Sequence, residues 1–361
     1  MTQNNSTIPD RLASLDILRG FDLFLLVFFQ PVLIALLSKS DASWIQSILY
    51  QFDHEVWDGF RFWDLIMPLF LFMSGASMPF SFSKLQRDKT KVFIYKKVFK
   101  RFLILFLLGM IVQGNLLGFD WQHIYIYTNT LQAIGTGYLF TALIILNFNF
   151  KGQLLSGFLL TLIYSLPFLI TGDYTLEGNF ANHVDQVLLG RFRGDPTYTW
   201  IWSSLNFTVT VLLGSFAGRM MKNGKDNKKM VVKTLLMTGF VLVILAWISH
   251  FIMPINKRIW STSMTLLSGG YCFLLMGIFY YWIDFKGHGK KLQWLKIYGM
   301  NSIVAYMLGE AINFRSIAQS IGYGLEPYLG EYYPVWLTFL NFAILFFILH
   351  QMYRHKIFLK I

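Results

Sequence analysis

The residues with the widest chemical reach lie in one stretch, His54-Glu-Val-Trp57-Asp58-Gly59-Phe-Arg61-Phe-Trp63-Asp64, which runs directly into the apolar segment Leu65 to Gly75 with Pro68 near its start. An imidazole is the side chain best suited to moving a proton near neutral pH. This one stands among four carboxylates, Asp53, Glu55, Asp58 and Asp64, at the lip of a hydrophobic run. The pattern points to chemistry at a membrane surface. The same spacing also describes an interfacial loop in which Trp57 and Trp63 join an aromatic belt and His54 is merely solvated.

The elements that must position this stretch follow from composition. The 361 residues are 55% hydrophobic, 18% aromatic and only 14% charged, with a mean hydropathy of +0.49. A soluble domain carries roughly 25% charged residues, so this chain has too little polar surface for a water-soluble globule. Ten apolar stretches approach the length needed to cross ~30 Å of hydrocarbon. They are 16–38, 62–82, 98–115, 129–147, 153–171, 205–221, 231–250, 264–283, 297–312 and 334–353. The fourth and ninth carry Gly, Asn or Glu and are the candidates for broken or tilted helices. No β-barrel alternation is present, so the expected class is an all-α polytopic membrane protein forming one domain over 1–361. The first fifteen residues are polar and read as a cytoplasmic segment without a cleaved signal peptide. The lone Cys272 excludes an intramolecular disulfide framework, no Cys/His cluster has metal-ligand spacing, and no Gly-rich phosphate loop occurs.

Basic residues set the expected orientation. With the N-terminus in the cytoplasm and sides alternating, 24 of the 31 Lys and Arg fall inside and 7 outside. Both termini, including the tail 354–361, are therefore expected in the cytoplasm. The net charge of +12 is then topology, with attraction to anionic lipid, and nucleic-acid binding is not needed. His54 and Asp64 fall on the outer face, as do the polar segments 116–128, 172–204 and 313–333. The long segment holding Glu177, His183, Asp185, Arg191 and Arg193 is expected to form a vestibule over His54. On the inner face Asp16, Arg19 and Asp22 share one side of the first helix, either as a snorkelling ion cluster or as part of an anion site. Asn206, Asn301, Ser302 and Glu310 are polar groups at membrane depth, which face a partner helix or a cavity.

These residues carry a resemblance. Arg11-Leu-Ala-Ser-Leu-Asp16-Ile-Leu-Arg19-Gly20, then His54-x-x-Trp57-x-Gly59-x-x-x-x-Asp64-Leu-Ile-x-Pro68-x-Phe-x-Phe-x-x-Gly75, resembles the transmembrane acyltransferase family of heparan-α-glucosaminide N-acetyltransferase, in particular its short bacterial forms. Asn182-His-Val-Asp185, Leu212-Leu-Gly214-x-x-Ala-Gly218, Pro254-Ile-Asn256-Lys257-Arg-Ile-Trp260-Ser261-x-Ser263 and Gly299-Met-Asn301-Ser302 continue it, in order, over roughly residues 11 to 310.

The resemblance implies a bacterial inner-membrane enzyme that passes an acetyl group from cytosolic acetyl-CoA to an extracytoplasmic amino sugar or glycan, without a metal. It implies His54 as general base or acetyl carrier, with Asp58 or Asp64 orienting the ring. Asn256 and Lys257 would hold the acceptor or polarise the carbonyl, with Trp57, Asn206 and Asn301 as further substrate contacts. Arg19, with Asp16, would meet the CoA phosphates, and the lysines of 84–101 are the second choice. Gln30 would stand near the thioester, although Gln30-Pro31 replaces the Asn or Gly-rich turn of many relatives and Pro31 should kink the helix. Thr197-Tyr198-Thr199-Trp200 replaces an Asp-Pro-Glu-Gly segment, so the acceptor or its handling differs if that Glu contacts sugar. A homodimer is compatible with such a bundle. The alternative is a proton-coupled transporter of amino sugars or cell-wall fragments, with Gly135, Gly137 and Gln30-Pro31 as mid-membrane breaks; no internal repeat supports it, and the intact His54 to Asp64 motif favours the enzyme.

Overall fold

The computed structural model describes residues 12–359, and every regular element among them is helical. Arg11, most of the 1–15 segment and the last two residues of the tail lie outside the described residues. In chain order the helices are α1 (Ala13–Leu37), α2 (Ser43–Gln51), α3 (Phe62–Asp88), α4 (Lys91–Val112), α5 (Thr130–Asn147), α6 (Phe150–Thr171) and α7 (Phe180–Leu189). There follow α8 (Ser204–Asn223), α9 (Lys228–His250), α10 (Thr262–Phe285), α11 (Gln293–Met300), α12 (Ser302–Ala311), α13 (Arg315–Gly322) and α14 (Tyr333–Arg354).

Nine of the ten expected spans each overlap one helix, and the other is divided between two. Among the described residues seven helical stretches are long and apolar enough to cross a membrane: α1, α3, α5, α6, α9, α10 and the segment from Arg315 to Arg354 that ends in α14. Helix α4 has 22 residues and α8 has 20, but their Lys, Asn, Thr and Ser make them more polar. The fourth span is an unbroken helix despite its glycines, started by a capping box in which Asn129 and Gln132 exchange side-chain to backbone bonds. The ninth is broken at Asn301, between α11 and α12. Pro31 does not end α1: the turn before it, Leu25–Phe29, widens to a π-helix. That widening accommodates a ring that lacks an N–H and crowds the preceding carbonyl.

Small residues set the helix spacing. A Cβ on Gly214 would lie 1.9 Å from the Phe72 carbonyl oxygen, and one on Gly75 would lie 1.8 Å from that of Val211. Thus α3 and α8 touch backbone to backbone, which holds the start of α3 in a fixed place. Gly20 and Gly299 do the same for α1 and α11.

The bundle has two chemically different ends. At one end the 52–61 loop is tied down when Trp57 Nε1 donates to Tyr174 O (2.9 Å) and Gly59 N donates to Ile255 O (2.8 Å). Gly59 sits at φ 133°, a conformation that only glycine adopts freely. Ile126 N donates to Phe192 O (2.9 Å) and Thr199 N to Arg258 O (2.9 Å), so four loops share this end. At the other end Ser14 N donates to Asp284 Oδ2 (3.2 Å), and Asn301 Oδ1 accepts from Leu359 N (3.1 Å). The basic clusters 84–101, 219–233 and 286–296 gather there.

Candidate active site

Two turns and one helix start build the site. Asp64 lies in the 3-10 turn Phe62–Leu65 that opens α3, and its Oδ2 accepts from the backbone N–H of Arg61 (3.0 Å) and of Glu55 (3.2 Å). The His54 loop is thus folded around this carboxylate. Arg61 braces it from behind: its Nε donates to Glu55 Oε2 (2.9 Å), and its guanidinium lies 3.7 Å from the Tyr50 ring centroid. Gln30 donates to Phe52 O (2.8 Å) and anchors the approach to His54 from α1. On the facing loop, Asn256 Oδ1 accepts from Arg258 N (2.8 Å) and Ile259 N (3.2 Å), while Ser261 Oγ accepts from Asn256 N (3.0 Å). Trp260, fully buried at φ 53°, closes this turn, and its carbonyl accepts from Asn206 Nδ2 (2.9 Å).

The turn aims Lys257 at His54. His54 Nδ1 lies 2.8 Å from Asp64 Oδ1 and 2.9 Å from Lys257 Nζ; Nζ is also 3.4 Å from Nε2 and 3.3 Å from Asp64 Oδ1. The Asp64 side chain is 1% exposed and that of Lys257 6%, whereas the imidazole is 38% exposed and so meets the cavity. Burial pushes the Lys257 ammonium down to about 8, opposed by the Asp64 charge beside it. Burial likewise holds His54 below the usual imidazole value, with the Asp64 hydrogen bond opposing it. A neutral ring held by a buried carboxylate can accept a proton at ordinary pH. With Nδ1–H donating to Asp64, Nε2 carries the free lone pair.

His54 and Lys257 line a cavity of about 370 Å³. Its apolar wall comes from α1 and α3, with Leu26, Trp63, Ile66, Met67 and Phe70. Its polar wall is Gln113, Thr128, Thr130, Tyr306 and Glu310, stiffened where Asn129 Nδ2 donates to Gln113 Oε1 (2.9 Å) and Tyr306 Oη (3.2 Å). Asp195, Tyr198 and Trp200 close it from the 172–203 segment.

The expected site residues separate accordingly. His54, Asp64 and Lys257 come together, with Asn256 shaping the Lys257 turn. Asp58 is exposed, and the imidazole bonds to Asp64 and Lys257 instead. Trp57 and Asn206 fix loops through backbone carbonyls. Asn301 lies at the far end, donating to Ile357 O (3.0 Å), and Arg19 pairs with Asp16 (3.5 Å) on the α1 turn that packs against α11. None of the expected vestibule residues, Glu177, His183, Asp185, Arg191 and Arg193, lines the cavity. Asp185 is buried and accepts from Trp200 N (2.7 Å) and Ile201 N (3.0 Å). Burial raises its carboxyl to about 6 despite those bonds. Gln113, Thr128, Tyr306 and Asp195 escaped sequence reasoning because ordinary polar residues in loops and helices carry no spacing signal; Glu310 was visible as a carboxylate at membrane depth. The described residues contain no group of three His, Cys, Asp or Glu placed to hold a metal.

Comparison with known proteins matches residues 11–255 to the family model described as heparan-alpha-glucosaminide N-acetyltransferase, catalytic. The chain is 25% identical over 367 residues to heparan-alpha-glucosaminide N-acetyltransferase of Homo sapiens, covering 84% of this chain and 53% of that protein. The Mus musculus protein of that name is 24% identical over 371 residues, covering 84% and 54%. The chain spans about half the length of the curated relatives it matches.

Proposed function

The chain belongs to the heparan-alpha-glucosaminide N-acetyltransferase catalytic family, and from that premise we propose that it is a membrane-embedded acyltransferase. It takes an acetyl group from acetyl-CoA on the cytoplasmic side and delivers it to an amino sugar or glycan on the other side, in a bacterial inner membrane. The observation that carries this reading is the His54–Asp64–Lys257 cluster: a half-exposed imidazole held by a buried carboxylate, with an amine beside it, on the wall of a cavity. The crowding of Lys and Arg at the opposite end supports placing that end, with both termini, in the cytoplasm.

The residues divide the work. Asp64 accepts Nδ1–H and fixes the tautomer, so that Nε2 faces the acceptor. As the amine attacks the thioester carbonyl, Nε2 takes its proton; the C–S bond breaks, the C–N bond forms, and the proton passes to the departing thiolate. The Lys257 ammonium, 3.4 Å from Nε2, stabilises the oxygen that becomes negative between these steps. The same geometry permits a two-stage route in which His54 carries the acetyl group. The CoA phosphates belong with the basic cytoplasmic end, where Arg19 and the lysines of 84–101 lie.

Replacing His54 with Ala should lower acetyl transfer to glucosamine by roughly 10²–10⁴-fold, while acetyl-CoA binding measured by calorimetry stays within a few-fold of the parent protein. Full transfer by His54→Ala would remove His54 from the reaction.

A further inference from the structure

A second opening lies back to back with the catalytic cavity. Helix α6 stands off from the bundle, with only 11% of its apolar window buried, and leaves a groove of about 870 Å³ against α5 and α8. The groove is mostly apolar along its length, with Phe140, Leu143, Ile144, Phe148, Leu159 and Leu160. Toward the His54 end Ile163, Ile201 and Leu205 continue it beside the hydroxyls of Tyr127, Thr136 and Ser204. A single layer of side chains separates the two spaces. Tyr127 and Trp200 pack with ring centroids 5.5 Å apart; Tyr127, Ile201 and Ser204 face the groove, and their neighbours Thr128 and Trp200 face the cavity.

The partition also holds donors that lack acceptors. Trp200 is 6% exposed, yet its indole N–H has no hydrogen-bond partner among the described residues. A buried N–H left unpaired costs about 1–3 kcal/mol, so an oxygen-bearing ligand at this wall would relieve a real deficit. Arg193, joined to Tyr127 by an isolated backbone bridge, also has its Nε unpaired, but its guanidinium donates to Pro196 O and Tyr198 O and its charge is met by Asp185 and Asp195.

We propose that the acceptor is an amino sugar carried on a lipid anchor. Its hydrocarbon chain lies in the α5/α6/α8 groove, its linkage oxygens pass the unpaired Trp200 N–H, and its sugar reaches over the partition to His54. This rests on the acyltransferase reading above. The order of surfaces matches such a molecule along its length: apolar groove, a partition holding an unpaired N–H, catalytic cavity. A water-soluble sugar would use only the last of these.

The test compares two acceptors in protein-containing nanodiscs, glucosamine and dodecyl glucosaminide, with acetyl-CoA as donor. Partition into the bilayer alone favours the alkyl acceptor, so the readout is how a groove-filling variant changes the ratio of the two kcat/KM values. Leu160→Trp, on α6, should lower that ratio roughly tenfold, a change of about 1.4 kcal/mol, while glucosamine turnover stays at the parent level. Leu143→Trp fills the groove from α5 and should repeat the effect, with unchanged glucosamine turnover reporting an intact fold in each. A ratio unchanged in both variants means that only bulk lipid occupies the groove and overturns the proposal. Loss of both reactions in parallel would likewise overturn it. No transfer to either acceptor by the parent protein would overturn the acyltransferase reading as well.

Discussion

At the scale of residues, the proposed chemistry rests on three side chains, and their mutual distances set the pH dependence it predicts. His54 works as a base only when neutral, and burial holds its pKa below the ordinary value of 6.5. Lys257 stabilises negative charge only when protonated, which it is below about 8. The rate should therefore follow a bell, rising below pH 6.5 as His54 loses its proton and falling near pH 8 as Lys257 loses its own. Asp64 raises both pKa values through its charge and hydrogen bonds. Asp64→Asn should then move both limbs of the kcat/KM profile to lower pH as well as lowering its height; limbs that stay in place would show that Asp64 does not act on this pair. Much of this was legible in the sequence. His54 and Asp64 stood out by type and position, and Lys257 by its motif. Asp58 and Asp64 were equivalent on spacing alone. The choice between them is made by the 3-10 turn that points Asp64 at the ring and by the loop that leaves Asp58 in solvent, neither of which side-chain type encodes.

At the scale of elements, the motif glycines act by letting backbones meet. Gly75, Gly214 and Gly218 hold α3 on α8, and Gly20 with Gly299 holds α1 on α11. They bear on the site only indirectly, since the start of α3 carries Asp64. Gly214→Ala would drive a methyl into the Phe72 carbonyl oxygen, a backbone atom that cannot rotate away. Overpacking of this kind costs about 1–3 kcal/mol, so the thermal midpoint in detergent should fall by several degrees. An unchanged midpoint would mean that the two helices are not in contact as described. The helix positions themselves were readable from apolar run length. The break at Asn301 and the π-turn before Pro31 were foreseeable as irregularities, but not in form. A Pro permits a kink or a widened turn, and packing against neighbouring helices selects between them.

At the scale of the molecule, the account requires that the His54 end and the basic end face opposite compartments. Cys272 is fully buried, so single cysteines report cleanly against it. A membrane-impermeant maleimide added to intact cells should label Asp58→Cys and leave Asp226→Cys untouched, whereas the reverse pattern would invert the bundle and the direction of transfer. Lys and Arg counts are what point to this orientation, because charge is visible in sequence. The cavity was not, because its walls come from α1, α3, α12 and four loops that only the fold brings together. The most direct test of the whole account is made in sealed proteoliposomes. Labelled glucosamine is trapped inside, and acetyl-CoA is supplied outside to molecules whose basic end faces out. The account predicts labelled N-acetylglucosamine inside, formed in step with CoA released outside and absent with His54→Ala. Glucosamine that crosses the membrane unmodified, with no CoA released, would contradict it and make the protein a transporter.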